Sequence, residues 1–253
     1  MWLVAPVVVV LLCSAAEAQT NLQLWGNATI DWQRADGLTY VLDVEPKVLV
    51  SVPAGKPGWW TIDATPGAEY ALKKWVDLTG EFLVGHTSET DDVRSVELTP
   101  RIGLRFHLFS RSVPVRLAGH VVQDRELPPK RRLVLRDYLR VEWRNLFYSD
   151  ETGDSSSARL RNRLELQFPL NRALVTADGA RYLLADWEWF VPLPDDVSER
   201  FANKQRIRVG MGWRRNREWR LEGLYIWERS LNTLEDGFAT ADNVINIRVK
   251  RVF

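Results

Sequence analysis

The sequence predicts an all-β protein: a closed antiparallel transmembrane β-barrel of about twelve strands, preceded by a cleaved signal peptide. Three observations predict it. From Gln19 onward, segments of eight to fourteen residues alternate apolar and polar side chains with period two, the mark of a two-faced strand. No stretch of ten or more residues carries helical periodicity. Trp and Tyr gather towards segment ends, while arginines and carboxylates fill the polar face.

The first 18 residues, MWLVAPVVVVLLCSAAEA, run apolar from Trp2 to Leu12 and end Ala16-Glu17-Ala18. That is the apolar region and A-x-A site of a secretory signal, although no Lys or Arg precedes it. The run is shorter than the ~18–20 residues a membrane span needs. Leu12 stands before Cys13, where a lipoprotein signal would carry a small residue. Residues 1–18 are therefore expected to be a signal peptide and 19–253 the barrel domain, whose sequence contains no cysteine. An exported chain without disulfides must be stabilised in another way. The net charge of +1 argues against nucleic acid as a partner. Among the basic residues, 27 are Arg and 7 are Lys. Arginine dominates where planar guanidinium groups pair with carboxylates in fixed geometry.

The elements follow in order. NLQLWGNATIDWQR places Leu22, Leu24, Ala28, Ile30 and Trp32 on one face and Gln23, Asn27, Thr29 and Asp31 on the other. TYVLDVEPKVLVSV sets Tyr40, Leu42, Val44, Val48 and Val50 against Asp43, Glu45 and Lys47. WWTIDATPGAEYAL sets Trp60, Ile62, Ala64 and Tyr70 against Asp63, Thr65 and Glu69. The grammar continues through 76–85, 96–108, 113–122, 136–147, 158–170, 182–191, 206–214, 219–228 and 243–253. Pro46, Pro66 and Pro100 fall inside strands and are expected to mark bulges or bends, because proline removes a ladder donor.

Alternation defines two faces without saying which one meets water. Twelve strands of about ten residues suit a tilted bilayer crossing, and the apolar set is too modest to fill a wide soluble barrel. The expectation is therefore inverted, with apolar residues outward and charges in the lumen. Trp32, Tyr40, Trp59, Trp60, Trp143, Trp213, Trp219 and Trp227 would form aromatic girdles. An even strand count would put both termini at the periplasmic rim, with 149–157, 192–205 and 230–242 as outer loops. The competing class is a soluble periplasmic β-protein holding an apolar ligand.

The signal, the amphipathic strands, motifs such as LTPRIGLRF, and the terminal Phe253 with apolar residues at alternate positions before it resemble Gram-negative outer-membrane β-barrels. The arrangement of RDYLRVEWR, ARLRNRLEL, ADWEWFV and NKQRIRVGMGWR is similar to an uncharacterised family of outer-membrane barrels with a domain of unknown function. The resemblance implies location in the cell outer membrane and contact with lipid and lipopolysaccharide. It also implies assembly by the barrel-insertion machinery, with Phe253 as part of the insertion signal. Arg251 departs from that signal's pattern.

Only GHTSET, with His86 and Ser88, has the spacing of a lipid-modifying hydrolase, and no third orienting group lies near it in sequence. Metal-ligand spacings and nucleotide-binding glycine motifs are missing from the sequence. No enzymatic activity, cofactor or metal is expected. The lumen face is more informative. Its first four strands present Asp31, Asp43, Glu45, Asp63, Glu69, Asp77 and Glu81 against Lys47. The next four present Arg101, Arg105, Arg116, Arg136, Arg140, Arg144, Arg159, Arg161 and Arg163 against Glu97, Glu142 and Glu165; Arg208 follows later. These charges could neutralise one another across a filled interior, or line a narrow channel for small polar solutes. The acids Asp150, Glu151, Asp154, Asp195 and Asp196 belong to solvated loops.

Overall fold

The computed structural model describes residues 21–34, 37–51, 58–88, 93–109, 115–117, 120–122, 133–150, 153–193, 204–230 and 240–253. The expected signal segment 1–18 and the loop acids Glu151, Asp195 and Asp196 lie outside them.

Thirteen strands occur among the described residues. They are β1 (Asn21–Gln33), β2 (Leu38–Leu49), β3 (Trp60–Lys73), β4 (Val76–Ser88), β5 (Arg94–His107), β6 (Val115–Leu117) and β7 (His120–Val122). The remainder are β8 (Val134–Tyr148), β9 (Ser155–Pro169), β10 (Ala180–Pro192), β11 (Lys204–Arg214), β12 (Trp219–Ser230) and β13 (Thr240–Val252). Eleven of them close into one barrel, each beside its neighbour in sequence, with β5 next to β8 and β13 closing on β1.

The twelfth expected strand is 113–122. Its described residues form the two short strands β6 and β7, which pair with each other, Val115 with Val122 and Leu117 with His120. Direct β5–β8 pairing, from Ser95↔Tyr148 to His107↔Arg136, leaves no place for them in the wall. Arg116 is thus on β6 and not on a barrel strand. The odd count has a geometric consequence. First and last strands run parallel, from Asn21↔Asp242 to Asp31↔Val252. Asn21 and Phe253 therefore stand at opposite rims, which corrects the expectation of a shared one. The Asn21 rim carries the connections 50–59, 89–93, 149–154, 193–203 and 231–239. The Phe253 rim carries 34–37, 74–75, 108–133, 170–179 and 215–218.

The three prolines are not bulges. Beside Pro46 the β1–β2 pairing breaks between Trp25↔Lys47 and Ala28↔Val44 and resumes in the same register. Pro66 does the same against β4, and Pro100 against β8. Each ring stands on the outer face, so a lost donor opens the ladder on one side only and no extra residue is needed. The register shift lies instead between Ala71 and Lys73.

Outward residues are apolar and exposed, such as Ile102 at 50% and Ile247 at 55%. Inward residues include fully buried charges, with Glu142 and Glu188 both at 0%. Towards the Phe253 rim, Trp32, Tyr40, Tyr70, Trp75 and Trp213 form an exposed aromatic belt. Phe253 stacks on Trp32 at 6.1 Å there, and the Arg251 guanidinium lies over the Phe253 ring at 4.2 Å. Trp60, Phe147 and Trp187 stand towards the other rim. Trp60 and Tyr70 are ten residues apart on β3. At ~3.3 Å per residue and a tilt of ~40°, their belts are about 25 Å apart.

Near the Phe253 rim an apolar cluster packs inside the wall. Val175, from the connection between β9 and β10, is buried with Val134, Tyr182, Leu184 and Leu224. Asn171 holds that connection by donating to Gly179 O at 2.9 Å and accepting from Arg181 N at 2.6 Å. Inward glycines make room for the large rings: a Cβ on Gly212 would stand 2.1 Å from Tyr182 Cζ.

Candidate functional site in the lumen

A cavity of about 330 Å³ lies in the lumen. Strand parity aims side chains into it from most of the wall. Asp43 and Glu45 on β2, Asp63 and Glu69 on β3, and Glu81 on β4 line it. So do Arg101 and Arg105 on β5, Arg140 and Arg144 on β8, and Arg161 and Arg163 on β9. Arg208 on β11 points the same way but is sealed off, donating to Asp186 at 2.6 Å and to Glu188 at 2.8 Å. Phe253 lies outside the lumen, in the aromatic belt.

Two buried carboxylates organise the basic wall. Glu142 accepts from Arg140 Nε and from Arg159 Nε, each at 2.6 Å. Arg161 Nη1 and Arg101 Nε stand 3.4 and 3.6 Å from its Oε1. Glu188 accepts from Arg161 and, at 2.8 Å, from Arg208, with Arg206 Nη1 at 3.4 Å. Arg161 thus joins the two hubs. Beyond them Arg206 and Lys204 hold Glu228, and Arg144 grips Glu97 with two bonds of 3.0 and 2.9 Å. Charge-assisted bonds of this kind are short and about twice as strong as neutral ones.

The acidic wall is thinner. Lys47 Nζ stands 2.7 Å from both Glu45 and Asp63, while Asn27 donates to Asp43 at 2.7 Å. Cross-links join the walls: Arg105 donates to Glu69 at 2.6 Å, and Arg140 donates to Glu81 at 2.8 Å.

Aromatic rings lie beside several of the lumen cations. Tyr138 has Arg105 and Arg140 over its ring at 4.9 and 5.4 Å, and its hydroxyl donates to Glu81 at 2.8 Å. Phe190 meets Arg159, Arg161 and Arg206 at 4.7, 4.8 and 5.1 Å. Trp25 meets Lys47 at 4.9 Å and Arg206 at 5.1 Å. Sequence reasoning did not assign these rings to the lumen, nor Glu188, Arg206 and Glu228. Parity was the available signal. Tyr138 shares a face with Arg136 and Arg140, and Phe190 shares one with Glu188.

His86 is on the outer face, edge-on to Trp60 at 5.3 Å, so it belongs with the aromatic belt at the Asn21 rim. His107 ties β5 to β4 through Asp77 at 2.6 Å. Among the described residues, no group of three or more His, Cys, Asp or Glu could hold a metal ion, and no helix is long and apolar enough to cross a membrane.

A family model described as "Protein of unknown function (DUF2490)" matches residues 22–237. The chain belongs to this family. No curated protein and no solved structure matches it. The DUF2490 segment spans ten of the eleven barrel strands, β1 to β12 without β6 and β7, and so contains nearly all of the lumen network. The closing strand β13 lies beyond it.

Proposed function

We propose that this DUF2490 barrel is a non-enzymatic protein of the cell outer membrane. Its apolar exterior rests against lipid and lipopolysaccharide, and barrel-insertion machinery assembles it. Its charged lumen braces the wall around a narrow compartment for small polar solutes. One observation carries the reading: the closed barrel is inverted, with large apolar side chains exposed on the outside and paired charges buried within. In water, so continuous an apolar exterior would drive association; in a bilayer it is the required surface.

Three features favour a compartment over an open pore: a cavity of about 330 Å³, the cross-lumen ion pairs, and the apolar cluster around Val175 near one rim. The short connections 34–37, 74–75 and 215–218 favour the Phe253 rim as the periplasmic one. The test is fractionation with gel migration before and after heating, followed by planar-bilayer recording. Membrane-pelleted, heat-modifiable protein with no large current steps is the expected result. A chain that stays in the soluble fraction overturns the membrane reading, and large steady conductance overturns the narrow lumen.

A further inference from the structure

The other cations that line the cavity each have a carboxylate within 3.4 Å; Arg101, Arg163 and Arg248 have none closer than 3.6 Å. Arg101 stands 3.6 Å from Glu142 and 3.8 Å from Glu81, both of which are already held at 2.6–2.8 Å by Arg140 and Arg159. Arg163 stands 3.9 Å from Glu165, and Arg248 stands 3.8 Å from Glu222. All three Nε atoms are buried without a hydrogen-bond partner. The Arg101 side chain is only 9% exposed.

Counting donors shows that this is a surplus and not an accident of one side chain. Arg101, Arg140, Arg159, Arg161, Arg206 and Arg208 carry about thirty N–H donors at five each. The carboxylates they share (Glu81, Glu142, Asp186, Glu188 and Glu228) offer about twenty lone-pair sites. Tyr138 and Lys204 already occupy two of those. The layering points the surplus inward. Glu142, Asp186, Glu188 and Glu228 do not line the cavity, whereas Arg101, Arg140, Arg159, Arg161 and Arg206 do. Most of the counter-charges thus sit behind the guanidinium groups, and Tyr138 lies 5.9 Å from the Arg163 guanidinium. Planar forks of this kind match the oxygens of a carboxylate or phosphate.

We propose that the lumen cavity is a binding site for a compact oxyanion, carboxylate or phosphate, held by Arg101, Arg163 and Arg248. This names the solute class of the proposed compartment and rests on that reading. The cavity of about 330 Å³ limits the site to small ligands, and Asp43, which faces it, opposes anion binding by like charge.

The test is isothermal titration of the full barrel, purified in detergent and shown to be folded by heat-modifiable migration. Sodium phosphate and sodium acetate are injected in separate runs, with sodium chloride at matched ionic strength as reference. Saturable heat with at least one oxyanion and none with chloride is expected. Arg163→Gln should weaken that binding about tenfold or more, as loss of a charge-assisted bond does. Arg248→Gln reads the same loss if the first variant does not fold. Asp43→Asn should tighten binding, and Arg251→Gln, on the outer face, should leave it unchanged. A folded wild-type barrel that takes up neither oxyanion overturns the site, as does equal weakening by Arg163→Gln and Arg251→Gln. Fractionation is read separately: membrane protein without uptake rejects the site alone, and soluble protein rejects the membrane reading.

Discussion

Glu142→Gln tests whether the lumen network holds the barrel together. The carboxylate is fully buried and takes two 2.6 Å bonds, from Arg140 Nε and Arg159 Nε, with Arg161 and Arg101 within 3.6 Å. Glutamine keeps the shape but removes the charge, and its amide group turns a donor towards cations that only donate. At least one charge-assisted bond is lost, at about 1.5–3 kcal/mol, and four guanidinium groups lose their shared anion. Removing one partner of a buried ion pair costs about 3–5 kcal/mol, so about 4 kcal/mol is expected. For a chain of this size that is a shift of roughly 8–16 °C in the midpoint of heat-modifiable migration. The double change Glu142→Gln with Arg159→Gln should recover part of the loss, because a stranded cation is removed with its anion. A single variant that melts within about 2 °C of the parent would refute the reasoning, since that shift corresponds to at most ~1 kcal/mol.

Other outcomes follow from particular contacts. Gly212→Val should lower the folded fraction, because the new Cβ meets the end of the buried Tyr182 side chain at 2.1–2.4 Å, whose hydroxyl is tied to Glu222 at 2.7 Å; unheated gels read it. Phe253→Ala should lower the yield of inserted barrel and destabilise what forms by about 1 kcal/mol or more through loss of the Trp32 stack at 6.1 Å, while leaving lumen binding intact. Val175→Asp should expel the connection 170–179 from its apolar seat, since an unpaired carboxylate cannot stay there. Planar-bilayer current above the parent's is the expected signature, and unchanged current would show that this cluster does not limit it.

How much was legible in the sequence differs from feature to feature. Period two was enough to divide Asp43, Glu45, Asp63, Glu69, Arg101, Arg140 and Arg161 from Ile62, Val84 and Ile102, because successive side chains on a strand point to opposite faces. The arginine excess over lysine announced planar, confined pairing. Alternation says nothing about partners, however. That Glu142 gathers Arg140 and Arg159 depends on the β8–β9 register, which places Glu142 opposite Arg159. The inward rings Tyr138 and Phe190 share the parity of the charges, but parity alone does not say which cations they meet.

By itself, then, the sequence determined the fold class, the inverted faces and the charged character of the interior, because these follow from local periodicity and side-chain chemistry. Only the tertiary structure decided that eleven strands close the wall and that β13 meets β1 in parallel. It also decided that Val175 is buried against Val134, Tyr182, Leu184 and Leu224 and that three arginines are left with weak partners. Each of these depends on contacts between residues distant in sequence. The choice between a twelfth wall strand and the short strands β6 and β7 is made by the competing pairing of β5 with β8, which no local pattern records.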